Sequence, residues 1–223
     1  MARDNVLLAY IASDLLFVAA GGLLIIFALI IESYDSQTMT VSNVARNLIL
    51  GLCPAKAVIG NAVLIFVTFL LSIPAMVIPT MRGILKMHGY LVTVCAFFTM
   101  VLGLILWFET LEARTNLEAI FLKQSSTVQS LIQAEFQCCG YKDASTIVFD
   151  TTCPNSVVAA SLTYCVTPFT SYGNNFLDLV FTGAFGIVGI DTVLIVMTAI
   201  LLKDRKEKER YAHIDQKQGP SGI

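Results

Sequence analysis

Four of the six cysteines, Cys138, Cys139, Cys153 and Cys165, fall in one segment of the 223-residue chain. Clustered thiols support two kinds of chemistry: they brace a small structure as disulfides, or they exchange with other thiols. Exchange needs an accessible, low-pKa pair, most often spaced Cys-x-x-Cys, and that spacing does not occur here. Bracing is the reading that fits, and it calls for an oxidising compartment. Four cysteines allow three pairings. Adjacent cysteines rarely bridge each other because the small ring strains the intervening peptide. Cys138 and Cys139 should therefore reach different downstream partners, which leaves one nested and one crossed arrangement open. Cys53 and Cys95 read as free thiols, and Cys95, nearest the cytosolic side, is the acylation candidate.

Three polar residues, Asp14, Asn61 and Asp191, stand inside apolar sequence and form a second chemical candidate. A carboxylate near mid-membrane costs about 2.5 to 3.5 kcal/mol on insertion scales, so both acids should face a bundle interior. At helical rise Asp14 lies about 12 Å and Asp191 about 16 Å from the cytosolic ends of their spans, close enough in depth to share a polar layer. No Lys or Arg stands there to neutralise them. The plain role for these groups is to hydrogen-bond neighbouring helices and fix register; the sharper roles are a lipid or sterol site and an ion path. His88 and His213 fall in separate cytosolic segments, so no metal site is expected. Without a phosphate-cradling glycine loop or a nucleophile with an assigned base, the chain reads as a non-enzyme. It needs no cofactor beyond a bound sterol or lipid.

The elements that carry these groups follow from composition. The chain is 56% hydrophobic and 13% charged, against roughly 25% charged for a soluble domain. A net charge of -2 gives no field that would attract nucleic acid. Crossing a bilayer core takes about 20 apolar residues in a helix, and four runs qualify, at residues 7–31, 55–78, 89–108 and 176–202. The first is too long to be a cleaved signal peptide. Basic residues are retained on the cytosolic side, which assigns the segment with Arg82 and Lys86 (79–88) and the tail with Lys203, Arg205, Lys206, Lys208 and Arg210 (203–223) to the cytosol, together with residues 1–6. Residues 32–54 and 109–175 then form a small and a large extracellular loop. Tyr10, Tyr34, Tyr90, Trp107 and Phe108 suit the interfacial belt. The predicted fold is an all-α membrane protein, a four-helix transmembrane bundle with a disulfide-braced, partly helical large loop.

Within the loops, residues 44–52 predict a brief amphipathic helix. Residues 109–122, rich in helix formers, predict a helical stalk continuing the third span. Ser126 and Gln129 have capping-box spacing, and Val128, Leu131, Ile132 and Phe136 share one helical face, so a second helix should run to the Cys138-Cys139-Gly140 turn. Pro154 and Pro168 are expected to break structure beyond it. Ile147, Val148 and Phe149 are three consecutive bulky apolar residues, and in an extended segment at least one must point away from the loop core. They are the partner-binding candidates.

A Cys-Cys-Gly run in the larger external loop of a four-span chain, with two more cysteines before the last span, resembles the tetraspanin signature over nearly the whole chain. The resemblance implies nested bridges, Cys138 with Cys165 and Cys139 with Cys153. The family often places Pro-x-x-Cys before its third loop cysteine, whereas here Pro154 follows Cys153. Residues 98–104, 107–110, 186–191 and 202–211 are similar to fungal tetraspanins associated with the appressorium and infection structures. What the resemblance implies is a non-enzymatic organiser at the plasma membrane, cycling through endosomal or vacuolar membranes, that associates laterally with itself, with other membrane proteins and with lipids including sterol. The competing expectation is a small-molecule or ion transporter subunit using Asp14 and Asp191. In the tail, Tyr211 to Ile214 match the tyrosine-x-x-hydrophobic pattern that sorting adaptors read, residues 221–223 resemble a PDZ-type ligand, and the mixed charges at 203–210 suggest a solvated helical extension.

Overall fold

The computed structural model describes residues 2–78 and 82–218. They form eight α-helices and one 3-10 turn, with no strand among them: α1 (Ala2–Asp35), α2 (Val44–Leu50), α3 (Ala55–Val77), α4 (Arg82–Leu111), α5 (Ala113–Lys123), α6 (Ser126–Phe136), the turn Ala144–Thr146, α7 (Ser156–Ser161) and α8 (Val166–Gln218). Helices α1, α3, α4 and α8 each hold a stretch long and apolar enough to cross a membrane. The chain is a multi-pass, all-helical membrane protein.

Several boundaries differ from expectation for local reasons. Helix α4 begins at Arg82, so most of the segment read as a cytosolic connector is helical. Helix α8 begins ahead of the fourth apolar run and includes Pro168. That proline falls in the first turn, where a helix has no partner for the N–H that proline lacks, so it does not break structure. The stalk is interrupted at Glu112 and resumes as α5. The capping box does not form: Ser125 is the N-cap without a side-chain bond, and Gln129 Nε2 instead donates to the carbonyls of Phe121 (2.9 Å) and Gln124 (3.2 Å) at the end of α5. Helix α6 stops at Phe136, before the paired cysteines, because Gln137 turns left-handed at φ 50°.

The chain divides into two compact units. The first comprises residues 1–26, 57–101 and 184–223. Its core is Tyr10, Phe17, Ile65, Leu85, Val92, Cys95, Leu194 and Leu201, while Leu8, Leu23, Leu70, Phe97 and Val193 point outward, the pattern of helices solvated by lipid. Close approach of α1 and α3 depends on Gly21, where a Cβ would come within 2.6 Å of Ile65 Cγ2.

The second unit comprises residues 27–56 and 102–183. Its core joins Ile31, Ile49, Leu117, Phe121, Ile132, Tyr141, Phe169 and Leu177. The apolar face read on α6 packs here, with Val128, Leu131 and Phe136 around Ile132. Phe136 lies edge-on to Tyr172, 5.8 Å between centroids, and 5.7 Å from Phe169. Helix α2 is capped from outside its own sequence. Asn43 gives it no side-chain bond, and Glu135 Oε2 of α6 accepts from Ala45 N at 3.1 Å. Burial pushes the Glu135 carboxyl up, partly offset by that bond and by Arg46.

Candidate functional site: a braced loop and a buried polar chain

In the second unit, two bridges close the segment after α6. Cys138 joins Cys165 and Cys139 joins Cys153, with Cα–Cα separations of 5.0 and 5.9 Å, a nested arrangement. Backbone bonds hold the flanking strands of chain together: Cys139 N to Thr163 O (3.1 Å), Cys165 N to Gly140 O (2.9 Å) and Val166 N to Tyr141 O (2.9 Å). Gly140 adopts φ +69°, and a Cβ there would lie 2.8 Å from Asp143 O. The third residue of the Cys-Cys-Gly run must therefore be glycine for steric reasons.

The loop is wired to α6 through Gln133, which is fully buried. Its Oε1 accepts from Gly140 N (2.9 Å) and Val148 N (3.2 Å), and its Nε2 donates to Val148 O (2.7 Å) and Asp150 Oδ2 (3.3 Å). Asp150 in turn accepts from Ser130 Oγ and from Thr152 N and Cys153 N, both at 2.8 Å. Burial raises the Asp150 carboxyl, but these bonds outweigh it and hold the group below the ordinary carboxylate value. Nothing in the helical period of α6 marks Gln133 as the hub, since its partners lie 7 to 17 residues away.

These anchors sort the apolar triplet. Ile147 packs on the small cluster of Cys139, Cys153 and Ala159. Val148 is fixed through its backbone to Gln133, and Phe149 is 63% exposed. Val157 and Tyr164, elsewhere in the loop, are also exposed. Cys53 is a buried free thiol, pushed up to about 11 by burial.

In the first unit, Asp14 is buried beside His88, not isolated from every basic group. Asp14 Oδ2 accepts from Ser72 Oγ at 2.5 Å, His88 Nε2 lies 3.3 Å from Asp14 Oδ1, and His88 Nδ1 is 3.1 Å from Tyr10 Oη. All four residues are buried. This corrects two expectations: His88 is an interior residue of α4, and Tyr10 belongs to the core and not to an interfacial belt. Asp191 has no place in that chain. Its electrostatic neighbour is Cys95, two turns along α4 from His88, or about 10 Å at helical rise. Asn61 Nδ2 donates to Thr99 Oγ1 at 2.7 Å. Cys95 is fully buried with Sγ 3.7 Å from Thr68 Oγ1, so the expected acylation does not fit: its thiol faces neighbouring helices and not lipid.

The tail is more than a solvated extension. Arg205 is 7% exposed, and its Nη2 donates at 2.7 Å to Ala75 O in the last turn of α3, where helix carbonyls lack internal partners. Arg82 pairs with Glu209 and Lys208 with Asp204. Tyr211 and Ile214 are exposed and helical. Residues 221–223 lie outside the described residues. No family model, curated protein or solved structure matches the chain.

Proposed function

We propose that the chain is a tetraspanin-like membrane organiser: the large loop of the second unit, residues 109–175, lies outside the cell and selects partner membrane proteins, and the spanning helices associate laterally at the plasma membrane. The observation that carries this reading is the two-bridge loop between α6 and α8, built on a Cys-Cys-Gly turn and wired by Gln133. Such a frame presents Phe149 on a rigid base while Ile147 anchors beneath it. Rigid, exposed aromatic residues concentrate binding energy because little side-chain entropy is lost on contact. Basic residues at one side support a cytosolic tail and a cytosolic Arg82, and the two bridges support a loop in an oxidising space. By resemblance, the cellular role extends to fungal infection structures.

Co-purification from gently solubilised membranes tests the reading. The wild-type chain should retain a reproducible set of membrane proteins, and Phe149→Ser should lose them while keeping both bridges and normal surface level. An identical set from Phe149→Ser would move the contact away from this loop edge. Absence of any reproducible set would remove the organiser role.

A further inference from the structure

Residues 203–210 carry five basic and three acidic side chains, mixed along the sequence. The helix sorts them. Helix α8 runs without a break from Val166 to Gln218, so the faces of the span continue into the tail. At about 100° per residue, Asp204, Arg205, Lys208 and Glu209 fall on one half of the helix. There Arg205 donates to Ala75 O, Lys208 pairs with Asp204 at 2.7 Å, and Arg82 pairs with Glu209. Two of the three acids are thereby neutralised on that half. The other half carries Val193, Val196 and Ile200, which point away from the protein, and beyond them Lys203, Lys206, Glu207 and Arg210, all exposed. Lys203, Lys206 and Arg210 make no ion pair among the described residues.

Position along the axis determines what meets this face. Lys203 directly follows the fourth apolar run, with Lys206 about 5 Å and Arg210 about 11 Å farther along at helical rise. The headgroup layer is about 5 to 7 Å deep on each side of a bilayer core, and long basic side chains reach back toward it. Lys203 and Lys206 thus stand at headgroup depth, and Arg210 lies within one screening length, about 8 Å, of that layer. We propose that this face of α8 is a binding surface for anionic phospholipid headgroups of the adjoining leaflet. Three cations against Glu207 alone leave a positive face that an anionic headgroup balances and a zwitterionic one does not. Its continuity with the outward-facing Val196 and Ile200 puts lipid against it in place of a soluble acidic partner. This surface belongs to the first unit and does not depend on partner selection by the loop.

Photocrosslinking in nanodiscs tests the surface. The purified full chain carries a photocrosslinking amino acid at Ile200, on this face, or at Ile73, which is exposed near the end of α3. The bilayer holds equal amounts of phosphatidylserine and phosphatidylcholine with identical acyl chains. The ratio of captured phosphatidylserine to phosphatidylcholine should be about fivefold higher at position 200 than at position 73. Replacing Lys203, Lys206 and Arg210 together by Gln should bring the two positions level, and Glu207→Gln should raise the ratio at position 200. Equal ratios at the two positions without further substitution would overturn the surface. So would an enrichment at position 200 that survives the triple replacement, since all three side chains are exposed and their loss leaves the core intact.

Discussion

Gln133 Nε2 donates to the carbonyl oxygen of Val148 at 2.7 Å, and Val148 N returns to Gln133 Oε1 at 3.2 Å. One side chain of α6 thereby replaces the backbone partner that a strand would have given Val148. Truncation as Gln133→Ala leaves the amides of Gly140 and Val148 and the Val148 carbonyl without this partner. Leaving buried groups unsatisfied costs about 1 to 3 kcal/mol each before water relaxes the site. The expected loss for the loop is about 3 kcal/mol, read as faster amide exchange at Gly140 and Val148 with both bridges intact. Unchanged protection at those amides would show that Gln133 is a passenger.

Asp150 sets the acid limit of the same loop. Its folded-state affinity for protons lies below that of an ordinary aspartate, so the unfolded loop binds the proton first as pH falls. The stability it contributes is complete above about pH 4 and is lost as pH drops through its lower folded value. Asp150→Asn should flatten that acid dependence, measured by loop amide exchange between pH 2 and 5. A profile identical to wild type would assign acid lability to another group.

Bridge energetics follow from loop length. The Cys139–Cys153 closure spans a separation of 14 residues and Cys138–Cys165 one of 27. Chain-entropy reasoning gives about 3 kcal/mol for the shorter and slightly more for the longer. Replacing Cys139 and Cys153 together by Ser should therefore cost less than replacing Cys138 and Cys165. Non-reducing peptide mapping is the accompanying check, and recovery of a Cys138-to-Cys153 peptide would establish crossed pairing.

Asp14 and His88 should behave as one unit. Removing one member of a buried, polar, closely approached group leaves its neighbours' polar atoms short of partners, at a cost of about 1 to 3 kcal/mol. Asp14→Ala and His88→Ala should each lower thermal stability in detergent, with the double variant much less than additive. Additive losses would mean that the 3.3 Å approach carries no coupling.

How much could be read beforehand depends on the range of the signal. Long apolar runs stand out because lipid constrains every residue of a span, and the amphipathic period of α6 is likewise local. The partnerships were not legible. His88 meets Tyr10 across 78 positions and Arg205 meets Ala75 across 130, and a basic residue near an apolar run reads first as an orientation signal. Pro168 misled because its effect depends on whether it falls in a first turn or in an interior one. Gln133 carries no local signal of its role, since only the folded loop brings Gly140 and Val148 to it.

The most direct test of partner selection is a photocrosslinking amino acid placed at position 149 in the living cell, with position 23 on the apolar outer face of α1 as comparison. The account predicts that position 149 captures a reproducible set of other membrane proteins distinct from the set at position 23, and that intact-cell protease cleaves the loop while sparing the tail. Capture of cytosolic proteins from position 149, or no capture above the position 23 background, would contradict it.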